Sequence, residues 1–423
     1  MTGIDKSRPE VWFLTSEIEG ERAGSFRQER WARVFLDAGA VIRVFNVQGA
    51  TGLTDRTFGS REEFDAFRSE CRATARPAAS VREGWYVGIV RSLKHLLLAD
   101  FYLPNILKLV VAGRAGLDDG RSVVIFSSSP PFPLAAAGYF LKRLYPKQVR
   151  LAIDMRDAWA LHTSLGGVRP IKRAIERTVL RAADFVSTVS FGLAREFRDR
   201  YGVQVEVLYN VATHYFEPPH PGAMDWLALN PALAPERRRF VYTGSTPAGF
   251  YDLRAIADGV VALRRSCPDV ADQIQLVFVG ACQEMRHEAE EAGVTDDDIV
   301  FVPHVPHKTA TAIQQAADAL LFLAYDGEDN KGVVSTKFFE YLALKKPVLP
   351  LGLRYGSDVD QLLESLCGVS FRILTADDVS AILGRLANDG TTALPVLTSD
   401  KDLIPLFAAY QTYAKQVLKV LQS

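Results

Sequence analysis

Short apolar runs alternate with helical patterns along this chain, and the alternation occurs twice. VWFL (11–14), VIRVF (41–45), VVIFSSS (123–129), VRLAID (149–154), FVSTVS (185–190) and VEVLYN (205–210) have the length and β-branched content of strands. GSFRQERWARVFLDAGA (24–40) and IKRAIERTVLRAA (171–183), which lie between them, carry helical spacing. Strands separated by helices form parallel sheets with both faces covered, because each crossover lays a helix on the sheet. The pattern lapses at PPHPG (218–222) and in the polar, proline-broken stretch as far as Arg239, a linker signal. It then resumes with FVYTGS (240–245), IQLVFVG (274–280), DIVFVP (298–303), ALLFLA (319–324), PVLPLG (347–352) and VSFRIL (369–374). Helical patterns separate these at 252–265, 284–292, 309–317 and 335–345. The expected fold is α/β, with two Rossmann-like doubly wound domains facing a central cleft. Their expected bounds are 1–218 and 219–402, with a last helix at 403–423 packing back on the first domain.

The bulk properties narrow the function by exclusion. A formal net charge of −1 gives no sign of nucleic-acid binding. Cys71, Cys267, Cys282 and Cys367 are scattered, with neither metal-binding spacing nor a disulfide framework. The opening residues lack a basic start followed by an apolar run, and no long uncharged apolar stretch occurs, so a cytoplasmic, metal-free protein is expected. Neither half has GxGxxG after its first strand, which argues against a dehydrogenase.

One segment raises a chemical question. In VVSTKFFEYLALKKPVLPLG (333–352), Lys337 and Glu340 fall in the first turns of a helix whose N-cap is Ser335 or Thr336. Glu340 lies too far along for a capping box. The two charges share a face, and an i,i+3 ion pair there would contribute only about 0.2–0.5 kcal/mol. The alternative is that Lys337 and the first-turn amides hold a phosphate while Glu340 accepts from the hydroxyls of a ribose. Spacing alone leaves both readings open.

The run STKFFEYLALKKPVL resembles the nucleotide-sugar segment of GT-B glycosyltransferases, in particular glycosyltransferase family 4, which carries Lys-x-x-Glu-Tyr-x-Ala before a Lys-Pro-Val strand. DMRDAW (154–159) resembles a stretch of bacterial members, as do VSTVSFGLAREFRDRYG with VEVLYNVATHYF, the strands FVYTGS and LVFVG, and DIVFVPHVPHKTATAIQQAADALLFL. The matches run, with gaps, from about residue 150 to about residue 350. They imply a retaining glycosyltransferase that moves a sugar from a nucleotide-sugar donor, without metal or cofactor, to a carbohydrate or polyprenyl-linked glycan. The donor would bind the second domain through Glu340, Thr336, Ser335, Gly244, Ser245, Thr246, Gly280, His304, Val305 and Glu328. Lys337, Arg156, Asp154 and Asp157 would carry the chemistry, and Glu17, Gly24 and His162 would meet the acceptor. Two departures matter. TGSTPAGFYDL has no Arg or Lys after its strand, so Lys337 or Arg156 must offset the diphosphate. Gly332 stands where an acid precedes Glu340 in the family, leaving Asp326, Glu328 and Asp329 as the nearby carboxylates.

Two features are read independently of the resemblance. Asp154 ends a strand, where functional residues of parallel sheets gather, and Arg156 is a fork donor suited to phosphate. Trp159 reads as core rather than as a sugar platform. Residues 82–114 mix apolar and aromatic residues with Arg82, Arg91, Lys94, His95, Lys108 and Arg114, as either a peripheral membrane face or a buried helix pair would. A nucleotide-sugar epimerase or hydrolase, and an inactive partner subunit, are the competing functional readings.

Overall fold

The computed structural model describes residues 7–421 except 17, 19–22, 49–51, 75–102, 118–119, 161–168, 212–224, 235, 247–250, 252, 282, 325–333, 369–372, 374, 393 and 397–402. The chain divides into two compact units, Met1–Asn210 with Ile404–Ser423, and Val211–Leu403. The division falls earlier in the chain than 218, and the last helix belongs to the first unit.

Unit 1 is built on a seven-stranded sheet: β1 (Glu10–Thr15), β2 (Val41–Gln48), β3 (Gly52–Phe58), β4 (Val123–Ser129), β5 (Val149–Met155), β6 (Phe185–Thr188) and β7 (Glu206–Val207). Their order across the sheet is β3-β2-β1-β4-β5-β6-β7. All neighbours are parallel except β3, which returns antiparallel along β2. β3 was not anticipated, because GLTDRTF is a polar edge strand with three consecutive exposed residues and no apolar run to announce it. Two expected strands are shorter than predicted. FVSTVS ends at Thr188 because Ser190 turns to cap the Phe191–Tyr201 helix, its side chain accepting from the Leu193 amide. VEVLYN pairs only at Glu206–Val207.

Helices cover both faces of this sheet. Leu103–Leu117 and Pro133–Leu144 pack over Trp12, Phe45, Ile125 and Leu151. The other face holds Ala23–Asp37 and Ile404–Lys419. There Trp31 lies 4.8 Å from the Tyr410 ring, 5.1 Å from Phe126 and 5.5 Å from Tyr413.

Unit 2 holds five parallel strands: β8 (Arg238–Thr243), β9 (Ile274–Val279), β10 (Ile299–Val302), β11 (Ala319–Leu323) and β12 (Val348–Leu351). Their order is β10-β9-β8-β11-β12. These strands are almost wholly buried, as expected of a sheet covered on both faces. The expected strand VSFRIL lies outside the described residues except for Ile373, whose carbonyl accepts from Gly352 N at 2.9 Å. In each sheet the strand order reverses once, between β1 and β4 and between β8 and β11. Parallel sheets take their ligands beyond the strand ends at such reversals.

Candidate functional site

In unit 2 the reversal lies between β8 and β11, and several predicted donor residues gather at the end of β8. Gly244 follows the strand with φ +133° and Gly280 follows β9 with φ +80°, backbone values that favour glycine. A Cβ on Gly280 would lie 3.5 Å from the Gly244 carbonyl oxygen and 3.8 Å from His304 Cα, so the loops after β8, β9 and β10 touch there. His304 is exposed and Val305 half-buried.

Lys337 comes from the Thr336–Ala343 helix. Its side chain lies across Gly244 so closely that a Cβ on that glycine would overlap Nζ. The ammonium also sits 5.8 Å from the centre of the Tyr242 ring. Among the described residues no carboxylate forms an ion pair with it, Glu340 included. Burial lowers the Lys337 pKa, and the Glu340 charge one turn away acts in the opposite direction. The surface ion pair, one of the two readings that spacing left open, is therefore not formed. Among the described residues, the ammonium at this strand end has no carboxylate as an ion-pair partner.

Other donor assignments change in detail. Ser335 is the N-cap, and its hydroxyl accepts from Lys337 N at 3.3 Å while its carbonyl accepts from Phe338 N at 3.1 Å. Two first-turn amides expected to face an anion are therefore already engaged. The Gly244 amide donates to the Val279 carbonyl at 2.8 Å, so this glycine gives room rather than a free donor. Thr246 is buried, not lining open space, whereas Ser245 is exposed. Thr336 and Glu340 are half-buried. Glu328, Asp326 and Asp329 lie outside the described residues. A cavity of about 220 Å³ opens at the ends of β11 and β12, lined by Leu323, Ala324, Leu351, Gly352, Tyr251 and Arg354 among others. Its mostly apolar walls do not suit a diphosphate.

In unit 1 the placement of Asp154 corrects the expectation that it is catalytic. It is fully buried, and both oxygens are engaged: Arg27 donates to them at 2.6 and 2.7 Å, Ser128 at 2.8 Å and Ser187 at 2.8 Å. Burial alone would raise its pKa. Arg27 and these hydrogen bonds outweigh burial and keep it ionised, well below the ordinary aspartate value. A carboxylate enclosed in this way anchors Arg27 and reaches no substrate. Arg156 and Asp157 are half-buried just past β5, and the Arg156 guanidinium donates to the Pro130 carbonyl. Trp159 is core, stacked on Phe132 at 4.5 Å with Lys172 over its ring at 4.8 Å. Gly24 lies in the Ala23–Asp37 helix, and Glu17 and His162 lie outside the described residues.

Two groups at the site were not singled out from the sequence. Tyr341 and Gln314, both buried, meet Thr243 at the end of β8. Tyr341 stood inside the quoted motif, but nothing in its spacing says which strand it reaches. Gln314 stands beside Gln315 in HKTATAIQQA, and nothing in that local sequence says which of the two turns inward.

The sequence matches no protein-family profile and no curated protein. The fold matches solved structures over nearly the whole chain. The E. coli trehalose-6-phosphate structure bound with UDP-2-fluoro glucose superposes with a TM-score of 0.55 at 12% identity, covering 98% of this chain and 97% of that one. Sucrose-phosphate synthase from Thermosynechococcus elongatus gives 0.54 at 13%, covering 98% and 95%. A protein described as a UDP-N-acetylglucosamine 2-epimerase from Listeria monocytogenes gives 0.51 at 10%, covering 97% of each. At these identities the likeness is one of fold: two Rossmann-like α/β units joined in one chain.

Proposed function

We propose that this protein is a GT-B glycosyltransferase of the family 4 type, transferring a sugar with retention from a nucleotide-sugar to a carbohydrate or lipid-linked glycan. One observation carries the reading: Lys337 holds an ammonium against Gly244 at the strand reversal of unit 2, with no anionic partner among the described residues. A partly desolvated cation in that position suits a diphosphate. Glu340, on the same helix and unpaired with Lys337, is proposed to accept from the two ribose hydroxyls. Gly280, His304 and Val305 are proposed to border the base. Charge gathers on the departing diphosphate in an oxocarbenium-like transition state, and preorganised donors that stabilise it lower the barrier. Lys337 is proposed to supply that stabilisation without a metal. Unit 1 is proposed to take the acceptor, with Arg156 and Asp157 as its polar groups. UDP in the E. coli structure described above supports a uridine nucleotide as the first donor to test.

The test is calorimetry with UDP, GDP, TDP and ADP in buffer containing EDTA. At least one should bind, and Glu340→Ala should weaken it about tenfold, the loss of roughly one charge-assisted hydrogen bond, with little change in melting temperature. Binding of none of them would remove the reading. The epimerase-like structure motivates the second reading. A nucleotide-sugar incubated without acceptor separates the two, since an epimerase turns over there and a transferase does not.

A membrane-facing surface on unit 1 is also proposed, which would place the enzyme at the cytoplasmic face of a bilayer. Leu107 and Val111 on one helix and Phe140 and Leu144 on the helix packed against it expose apolar side chains. Among the described residues no helix is long and apolar enough to cross a membrane.

A further inference from the structure

β8 pairs with β9 along its whole length, from Arg238 to Thr243. On its other side it pairs with β11 only at Phe240 and Val241. The two strands therefore part before β8 ends, at the reversal point itself. Amide directions alternate along a strand. The Gly244 amide points to β9, where Val279 accepts it, so the preceding amide, that of Thr243, points towards β11. Its acceptor is not a strand carbonyl. It is the phenol oxygen of Tyr341, at 3.2 Å. Tyr341 is fully buried, and its hydroxyl also stands 3.5 Å from the Thr243 side-chain oxygen, which in turn accepts from Gln314 Nε2 at 2.6 Å.

Tyr341 and Lys337 are four residues apart and share a face of one helix. Both reach the end of β8, Tyr341 at Thr243 and Lys337 at Gly244. We infer that Tyr341 is a positioning residue: its hydroxyl takes the place of a β11 carbonyl, keeps β8 and β11 parted, and thereby fixes the Lys337 ammonium where a diphosphate is held. Gln314 supports it by fixing the Thr243 side chain. A polar group buried at such a point costs stability unless it is paired, and a strand carbonyl would pair the amide equally well. The phenol does what a carbonyl cannot, because it satisfies the amide without bringing the strands together.

The inference rests on the nucleotide-binding reading above, and the test separates the two. The probe is whichever of UDP, GDP, TDP and ADP the intact protein binds most tightly, titrated by calorimetry into the wild type, Tyr341→Phe, Lys337→Met and the double variant. Tyr341→Phe should weaken binding about tenfold, and the loss should vanish in the Lys337→Met background, because groups acting through one another are not additive. Unchanged binding by Tyr341→Phe, or an equal loss in both backgrounds, would overturn the inference and leave the nucleotide site standing. Binding of none of the four by the wild type would remove both. If Tyr341→Phe does not fold, Gln314→Leu releases the Thr243 side chain while keeping the phenol. Its loss should likewise disappear without Lys337, and persistence of that loss would count against the inference.

Discussion

Lys337 illustrates how much depends on tertiary surroundings, since no carboxylate among the described residues pairs with it. Burial lowers its pKa, so the free protein holds the ammonium less firmly than an exposed lysine would. A bound diphosphate favours the charged form and raises the pKa again. Affinity should therefore be full while Lys337 is protonated in the free protein. It should fall as pH rises through the lowered pKa, before the ordinary lysine value of 10.5 is reached. Nucleotide calorimetry between about pH 7 and pH 10 checks this, with proton uptake on binding read from buffers of different ionisation enthalpy. Lys337→Met should bind weakly and without that pH dependence; an unaltered alkaline decline in the variant would assign the effect elsewhere. At this scale the sequence was informative about spacing and silent about tertiary partners. Lys337 and Glu340 could be placed on one face from their numbers alone. That they do not pair, and that the ammonium lies on Gly244, depends on a strand far away in the chain. Asp154 misled for the same reason. Its guanidinium partner Arg27 is 127 residues away, and nothing local to DMRDAW announces it.

Elements were legible where burial gave them a period and illegible where it did not. The expected strands within the described residues form where they are buried and nearly continuous apolar runs, whereas VEVLYN, exposed at Glu206, pairs over two residues only. Pro133–Leu144 has no legible helical period, because its first half is buried and made of small apolar residues without a polar face. Its exposed Phe140 and Leu144 nevertheless meet a requirement of the proposed membrane face. So do Leu107 and Val111 on Leu103–Leu117, each pair being one turn apart. Lys108 on the first helix and Arg143 on the second add positive charge. Most of the basic, aromatic stretch singled out from the sequence, 82–102, lies outside the described residues. Flotation with anionic vesicles at low salt should carry the protein upward, and Leu107→Glu with Val111→Glu should leave it at the bottom of the gradient. Equal flotation of both proteins would assign any attachment to another surface.

For the whole molecule, the recurrence of strand–helix alternation made two α/β units readable. It left their exact membership open, since a helix with ordinary periodicity does not say which unit it completes. The structure assigns Ile404–Lys419 to unit 1 through particular contacts. The Tyr410 hydroxyl accepts from Arg27 and, at 3.2 Å, from Arg30, and donates to the Tyr209 carbonyl at 2.8 Å. Tyr410, Tyr413, Ala414 and Val417 are buried against Trp31 and its neighbours. A chain ending at Leu403 should lose this face and leave two buried guanidinium groups short of partners, a cost of several kcal/mol, on the order of a domain's net stability. Amide exchange should then show β1, β4 and β5 unprotected while β8 to β12 keep their protection. Protection of all strands in the truncated chain would contradict the assignment.

The order of synthesis gives that closing helix another consequence. On the ribosome, residues 1–210 emerge first, yet the piece that seals their sheet is translated only after all of residues 211–403. Until then Trp31 lacks the Tyr410 and Tyr413 rings that pack against it, and the nascent chain presents that aromatic surface to the cell for the time it takes to make the second unit. Such a protein should draw heavily on chaperones during translation, and a circular permutant that begins with residues 404–423 should depend on them less.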